Sequence, residues 1–287
     1  MNVFVTGGEG QLGSEVVASL RGYGRGISCR TIVTAPGMET FDITDEKVVR
    51  ATIDRCSPDV IVHCAAYTAV DKAEDEPEMC ERVNVTGTRY IARAARDSGA
   101  AMLYISTDYV FDGSLGRPYE IDDITAPLSV YGRSKLAGED AVIEILDRYY
   151  IIRSSWMFGA RGDNFVKTIL NIGKEKGTVD VVKDQIGSPT YTSDLAKFIV
   201  DMIQTEKYGI YHATNEEYCS WYEFACEIFR KAGLDVHVAP IESDAYPYKA
   251  LRPKNSRLSK KSIVDAGFVK LPTWKDALAG YFEKVNL

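Results

Sequence analysis

The chain lacks most of what metal sites, secreted scaffolds and nucleic-acid binders are built from. Its six cysteines (Cys29, Cys56, Cys64, Cys80, Cys219, Cys226) form no C-x-x-C pair, and only His63, His212 and His237 stand beside them. No metal-ligand spacing results, so no metal is expected, and the thiols read as reduced, mostly buried small hydrophobes. Acidic residues outnumber basic ones, 41 to 34, giving a net charge of -7. That balance leaves no broad basic surface for a phosphate backbone and excludes nucleic acid as a partner class. No run approaches the ~18 apolar residues of a membrane span, and Met1 to Gly7 have neither the charged region nor the apolar stretch of a signal peptide. A cytoplasmic protein with no membrane partner is expected. Only 10 of 287 residues are proline and 45% are hydrophobic, which rules out collagen and disorder. There is no internal repeat and no low-complexity segment.

What remains is an alternation of short apolar runs rich in β-branched residues with amphipathic stretches at helical spacing, the pattern of repeated βα units. The strand candidates are Asn2 to Thr6, Thr31 to Thr34, Val60 to Ala65, Met102 to Ser106, Tyr150 to Ser154 and Val179 to Val182. They are nearly continuous apolar runs, as a sheet covered on both faces requires. Leu12, Val16, Val17 and Leu20 share a face of the first helix; Val48, Val49, Ile53 and Cys56 share one of the second, which opens at Thr44 or Asp45 as N-cap. Later helices are expected over Asp194 to Gln204, Ser220 to Lys231 and Thr273 to Val285. The fold class is therefore α/β, a doubly wound, mainly parallel sheet of the Rossmann type with a smaller C-terminal substrate-binding lobe. Residues 1–156 and 176–209 are assigned to the dinucleotide-binding part, and 157–175 with 210–287 to the lobe.

Gly7-Gly8-Glu9-Gly10-Gln11-Leu12-Gly13 follows the first strand and opens a helix. Glycines in that context permit a tight strand-to-helix turn and let a pyrophosphate reach backbone amides at the positive end of a helix dipole. A carboxylate about twenty residues on, which would bond a ribose 2'-hydroxyl, is missing: Thr31-Ile32-Val33-Thr34-Ala35-Pro36 stands there, with Arg30 just before it. Nothing repels a 2'-phosphate, so NADPH is expected to be accepted and preferred over NADH. Asp42, beside Ile43, reads either as an adenine-end contact or as a cap of the next helix.

Tyr131 and Lys135 form a Y-x-x-x-K on one helix face, where a nearby ammonium favours a tyrosinate. With 17 tyrosines and 17 lysines, about one such match arises by chance. Its context carries the weight: the motif follows the nucleotide turn and the Met102 to Ser106 strand, whose end brings Thr107 to the carboxyl edge where open α/β sheets hold their sites.

Together with His63-Cys64-Ala65-Ala66-Tyr67-Thr68-Ala69-Val70-Asp71, Asn84-Val85-Thr86-Gly87, Ser106-Thr107-Asp108-Tyr109-Val110-Phe111, Arg153-Ser154-Ser155-Trp156, Asn164-Phe165-Val166, Asp184 to Thr190 and Arg252-Pro253, these residues make the chain similar to the extended short-chain dehydrogenase/reductases. Within them it resembles the dTDP-4-dehydrorhamnose reductases over nearly its whole length. The resemblance implies NAD(P)H-dependent reduction of the C4 ketone of dTDP-4-dehydro-L-rhamnose to dTDP-L-rhamnose for cell-surface polysaccharide. Thr107 and Tyr131 would hold the ketone oxygen, Tyr131 would deliver the proton, and Lys135 would bond the nicotinamide ribose and lower the phenol's pKa. Gly7, Gly10, Gln11, Leu12, Gly13, Asp42, Ile43, Cys64, Ala65, Ala66, Tyr67, Asn84 and Ser106 complete the implied cofactor site. Val70, Asp108, Trp156, Asn164, Gln185 and Arg252 would join Thr107 around the dTDP-sugar. Trp156 also reads as core, and Asn164 as a helix N-cap.

Two departures from the family pattern matter. Some members dimerise around Mg2+ through a carboxylate just after the Pro-Thr of the Gly-Ser-Pro-Thr block, where this chain has Tyr191-Thr192-Ser193, so a monomer or homodimer without bridging metal is expected. Related 4,6-dehydratases place Asp-Glu after the threonine; here Asp108 is followed by Tyr109, which argues against dehydration. The alternatives are a nucleotide-sugar 4-epimerase retaining NAD, and a non-catalytic subunit resembling the regulatory partner of methionine adenosyltransferase.

Overall fold

In the computed structural model, residues 1–23 and 31–285 are described. Cys29 and Arg30 lie outside the described residues. Five strands, β1 (Asn2–Thr6), β2 (Ile32–Thr34), β3 (Val60–His63), β4 (Ala101–Thr107) and β5 (Tyr149–Ser154), join the Gly209–His212 strand in one six-stranded sheet. Its order is Gly209–His212, β5, β4, β3, β1, β2, and every pairing is parallel. β2 and β3 leave β1 on opposite sides, so the winding reverses at β1.

Burial on both faces follows from the period-2 alternation of the apolar strands. Val3 and Val5, Val60 and Val62, Leu103 and Ile105, Tyr150 and Ile152 point to one face. There they meet Val16 and Leu20 of helix α1 (Gln11–Tyr23) and Leu195 and Ile199 of the Thr192–Met202 helix. Phe4, Ile61, Met102, Tyr104 and Ile151 point to the other face, against Val49 and Ile53 of helix α2 (Glu46–Cys56), Ile91 and Ala95 of the Thr88–Ser98 helix, and Val142 of the Val130–Ile145 helix. The N-cap of α2 is Asp45, whose Oδ1 accepts from Lys47 N and Val48 N at 2.9 and 3.2 Å.

A third cluster builds the lobe. Phe158, Val166, Leu170, Phe224, Ile228, Leu278 and Tyr281 pack the helices Phe165–Lys176, Trp221–Ala232 and Trp274–Val285 around a parallel pair, Thr178–Val182 with His237–Ile241. Two strands thus fall across the division expected from sequence: Thr178–Val182 belongs to the lobe rather than the main sheet, and Gly209–His212 is the main sheet's edge. An apolar run reports burial, but the partner of Val179 and Val181 is set by the non-local pairing with Val238 and Pro240. Ser220 caps the Trp221–Ala232 helix in a reciprocal box with Glu223, within one residue of the expected start. Of the five described cysteines, all free, Cys80 and Cys219 are buried and Cys56, Cys64 and Cys226 are half-buried, so fewer are buried than expected.

The Phe165–Lys176 and Trp221–Ala232 helices approach closely at Gly173, where an added methyl would stand 2.3 and 2.6 Å from ring carbons of buried Phe229. Alanine in place of glycine gains up to about 1 kcal/mol of helix propensity. The overpacking costs about 1–3 kcal/mol in a close-packed core, and it dominates. Gly173→Ala is therefore expected to lower the thermal midpoint by several degrees in a calorimetric scan; a midpoint at or above wild type would show that the two helices slide apart freely.

Candidate active site

At the carboxyl ends of β1, β3 and β4, where the winding reverses, lies a cleft of about 790 Å³. The glycine-rich turn forms its floor. Gly7 has φ +64°, and its Cα faces Ala65 so closely that a Cβ would sit 2.8 Å from Ala65 N. A Cβ on Gly13 would come 2.1 Å from Gly7 O, so the helix start folds back on the strand end with no space for a side chain. Gly7, Gly10, Gln11 and Leu12 line the cleft, whereas Gly13 lies behind it as the packing glycine. Unspent first-turn amides and the positive helix end make this a cradle for a pyrophosphate, and the crowded glycines are the observation that fits a dinucleotide there.

Asp42 and Ile43 border one end of the cleft. Asp42 Oδ1 accepts from both the amide and the hydroxyl of Thr44 at 2.8 Å, so it caps its own turn while the helix cap falls to Asp45. Cys64, Ala65, Ala66 and Val70 form the wall after β3. Tyr67 and Asn84 stand behind that wall. Asn84 Oδ1 accepts from Tyr67 N at 2.8 Å, and its Nδ2 donates to Tyr67 O at 3.1 Å and to Ser134 Oγ at 2.9 Å. Ser134 in turn donates to Tyr131 O at 2.8 Å. Asn84 therefore couples the cofactor wall to the turn bearing the tyrosine.

Ser106, Thr107 and Asp108 at the end of β4 face Tyr131 and Lys135 across the cleft. The Val130–Ile145 helix starts at Ser129, whose hydroxyl accepts from Gly132 N at 3.1 Å, and this cap sets where its first turn presents Tyr131. Burial pushes the Tyr131 phenol above its usual value, and the Thr107 hydroxyl pulls it back. Burial dominates; the depression by Lys135 expected from spacing is not part of this balance. Burial also brings Lys135 down to about 7, opposed by the Glu139 carboxylate. Its ammonium lies 4.0 Å over the Tyr104 ring. His63, with Thr6 Oγ1 at 2.7 Å and Thr88 Oγ1 at 3.2 Å, is held neutral by burial, its pKa lowered to about 3.

Asp108 is fully buried and brought up to about 6, mainly by desolvation. Thr107 Oγ1 donates to its Oδ1 at 3.1 Å, while Oδ2 is buried without a partner. Ser154 Oγ on the same cleft wall is also buried and unpartnered. Trp156, at φ +48°, lines the cleft and stacks on Trp221 with centroids 3.6 Å apart, so it serves the cleft and the lobe core together.

The remaining residues read as substrate contacts are engaged elsewhere. Asn164 caps the Phe165–Lys176 helix by accepting from Lys167 N, and its amide donates to Gln11 Oε1 and Gly159 O, each at 2.9 Å. Gln185 is buried and donates to Ser243 Oγ at 3.1 Å. Arg252 is paired with Asp71 at 2.6 Å and lies 3.8 Å over the Tyr248 ring. None of the three borders the cleft as it stands. Sequence reasoning missed Phe41, Tyr109, Ser154 and Met157, which line it. Ser154 and Tyr109 were within quoted blocks, but nothing in residue type separates them from their neighbours.

The Asp108 carboxyl generates a pH-dependent expectation. Its folded pKa lies above the usual 3.8, so its protonated form adds stability that is complete below about pH 4 and lost as pH rises through 6. Asparagine does not titrate and still accepts from Thr107. Asp108→Asn is expected to gain about 2 kcal/mol over wild type between pH 4 and pH 7, measured by denaturant unfolding at both pH values. A difference independent of pH would show that Asp108 titrates as an exposed carboxyl.

The family model for the RmlD substrate binding domain matches residues 1–287. A dTDP-4-dehydrorhamnose reductase of Streptomyces griseus is 44% identical over 285 residues, covering 97% of this chain and 92% of the relative. The crystal structure of the Bacillus anthracis dTDP-4-dehydrorhamnose reductase in complex with NADP superposes with a TM-score of 0.94 at 39% identity, covering 99% of both chains. The Clostridium acetobutylicum orthologue gives 0.95 at 38% identity over the full length of both. The cleft thus sits in a fold shared along its whole length with these enzymes, and the chain belongs to the RmlD family, the dTDP-4-dehydrorhamnose reductases.

Proposed function

We propose that the protein reduces the C4 ketone of dTDP-4-dehydro-L-rhamnose to dTDP-L-rhamnose with NADPH. The observation that carries this reading is the convergence of Thr107, Tyr131 and Lys135 on one cleft with the glycine turn, in a chain that has dTDP-4-dehydrorhamnose reductases among its relatives across nearly its full length. The hydride comes from the reduced nicotinamide when it is bound. The chain's own part is to hold the ketone oxygen and protonate it: the Tyr131 hydroxyl donates to the developing alkoxide, and Thr107 orients that oxygen. A phenol raised by burial keeps its proton until negative charge develops beside it. Lys135, buried and cationic below about pH 7, adds positive charge beneath the site and holds the cofactor ribose.

The six-stranded part is proposed to bind the cofactor and the lobe to close over the sugar nucleotide, with Trp156 at their junction. Asn164, Gln185 and Arg252 support the lobe walls in this reading, and Asn84 the cofactor wall. The NADP bound by the Bacillus anthracis relative supports NADPH as cofactor, as does the absence of a carboxylate at Ala35 and Pro36. Among the described residues no helix is long and apolar enough to cross a membrane. Action in the cytoplasm, as monomer or homodimer, is part of the proposal.

The deciding experiment is NADPH oxidation with dTDP-4-dehydro-L-rhamnose, followed by identification of the product sugar. Tyr131→Phe removes only the hydroxyl, so both ligands should still bind while kcat falls by roughly two to four orders of magnitude. A Tyr131→Phe enzyme within threefold of wild type would show that another group donates the proton. For the cofactor, kcat/KM with NADPH is expected to exceed that with NADH; a tenfold preference for NADH would overturn that part of the reading.

A further inference from the structure

The Val130–Ile145 helix carries a third functional group on the face that presents Tyr131 and Lys135. Glu139 follows Lys135 by four residues, as Lys135 follows Tyr131, and it is only 1% exposed. Its carboxylate is a junction. Arg153 Nη2 donates to Oε2 at 2.7 Å, and Arg153 Nε donates to Oε1 and Oε2 at 3.0 and 3.2 Å. The Ser106 hydroxyl donates to Oε1 as well. Ser106 is the residue before Thr107 at the end of β4, and Arg153 stands near the end of β5. One carboxylate therefore fastens the helix that bears Tyr131 and Lys135 to the two strand ends opposite, one of which bears Thr107.

The surroundings of Lys135 give this carboxylate a second consequence. From β3 and the residue after it, Lys135 faces His63 and the Cys64 thiol; from β4, the Tyr104 ring; from the Pro77–Glu81 helix, the Cys80 thiol; from its own helix, Tyr131 and Glu139. Burial keeps His63 neutral and holds both thiols and both phenols in their protonated forms. Arg153, the nearby cation on β5, is turned to Glu139 in the ion pair. Among these neighbours Glu139 alone carries the negative charge that offsets burial of the ammonium.

We propose that Glu139 is a positioning residue for the reduction, locking the Tyr131 and Lys135 face against Thr107 and serving as the buried counter-charge of Lys135. Glu139 does not border the cleft, so it acts through Tyr131, Lys135 and Thr107 rather than on a ligand. The role rests on the functional reading above.

The test compares kcat against pH for wild type, Glu139→Gln and Glu139→Asp, with NADPH and dTDP-4-dehydro-L-rhamnose saturating. Glutamine keeps an acceptor for Ser106 but lacks the charge, so Lys135 releases its proton earlier; the alkaline limb should move down by at least one pH unit. Aspartate keeps the charge with a shorter reach, so kcat should fall at every pH with the limb in its wild-type place. A Glu139→Gln limb at the wild-type position, or an equal displacement in Glu139→Asp, overturns the proposal. A lone glutamine leaves Arg153 buried without its partner, which can prevent folding. The double variant Glu139→Gln/Arg153→Met removes both charges and is held to the same displaced limb. Wild-type protein that oxidises no NADPH with this ketone overturns the functional reading instead. The counter-charge role is then decided by the Lys135 ammonium titration in the wild type and both glutamine-containing variants, followed by NMR and assigned by loss of its signal in Lys135→Met, with the same displacement expected.

Discussion

Much of the site hangs on one buried ion pair, Arg153 with Glu139, whose side chains are 4% and 1% exposed. Taking two charges out of water costs several kcal/mol per ion, and the attraction repays this only when the remaining donors and lone pairs are used. Here they are. Arg153 Nη1 donates to Ile121 O at 3.1 Å, and its guanidinium lies 5.2 Å over Phe111, which stacks on Tyr119 at 4.2 Å. Tyr119 O accepts from His212 Nδ1 at 3.0 Å, so the edge strand Gly209–His212 is bound into the same assembly. Such a pair adds little net stability compared with a well-packed apolar substitute. Its directional bonds do fix one register between helix and strands, and that register aligns Thr107 with Tyr131.

The position of the cleft follows from an earlier constraint, the connectivity of parallel strands. Each crossover from β1 must return on one side or the other, and where successive crossovers diverge the two connecting segments part and leave a crevice at the carboxyl edge. β1 delivers the glycine turn into that crevice, β3 delivers Cys64 to Ala66, and β4 delivers Ser106 to Asp108. Of Thr107, Tyr131 and Lys135, the last two arrive on a helix. They need the Ser129 cap at one end of the turn and Glu139 two turns on to hold them, whereas the strand-borne residues are placed by the ladder itself.

These origins explain what was legible in the sequence. The strands at Asn2, Val60, Met102 and Tyr150, with the helix faces around Val16 and Ile53, announce themselves because burial on two sheet faces demands unbroken apolar runs and helical burial demands a stripe. Gly209–His212 does not: four residues at a sheet edge, with a glycine and a histidine among them, satisfy no pattern, and pairing with β5 alone makes them a strand. Thr178–Val182 was recognisable as a strand, but its sheet was not, because its partner lies more than fifty residues downstream. The glycine turn was readable to the residue, since only an absent Cβ allows Gly13 so near Gly7.

Polar residues in the site were the least legible, and the accounting of their hydrogen bonds explains why. A buried donor or acceptor must be satisfied by the protein or by a ligand, and a residue type looks the same in either case. Asn84 and Asn164 have both amide hydrogens and the carbonyl oxygen committed to neighbouring residues, so each holds a wall or a helix start and has little left for a ligand. Asp108 Oδ2 and Ser154 Oγ are buried on the cleft wall with nothing to bond, which costs about 1–3 kcal/mol for each such group left unpaired. A polar ligand in the cleft would remove that cost. Unspent bonding capacity, more than membership of a motif, therefore marks these two atoms as the ones whose cost a polar group entering the cleft would relieve.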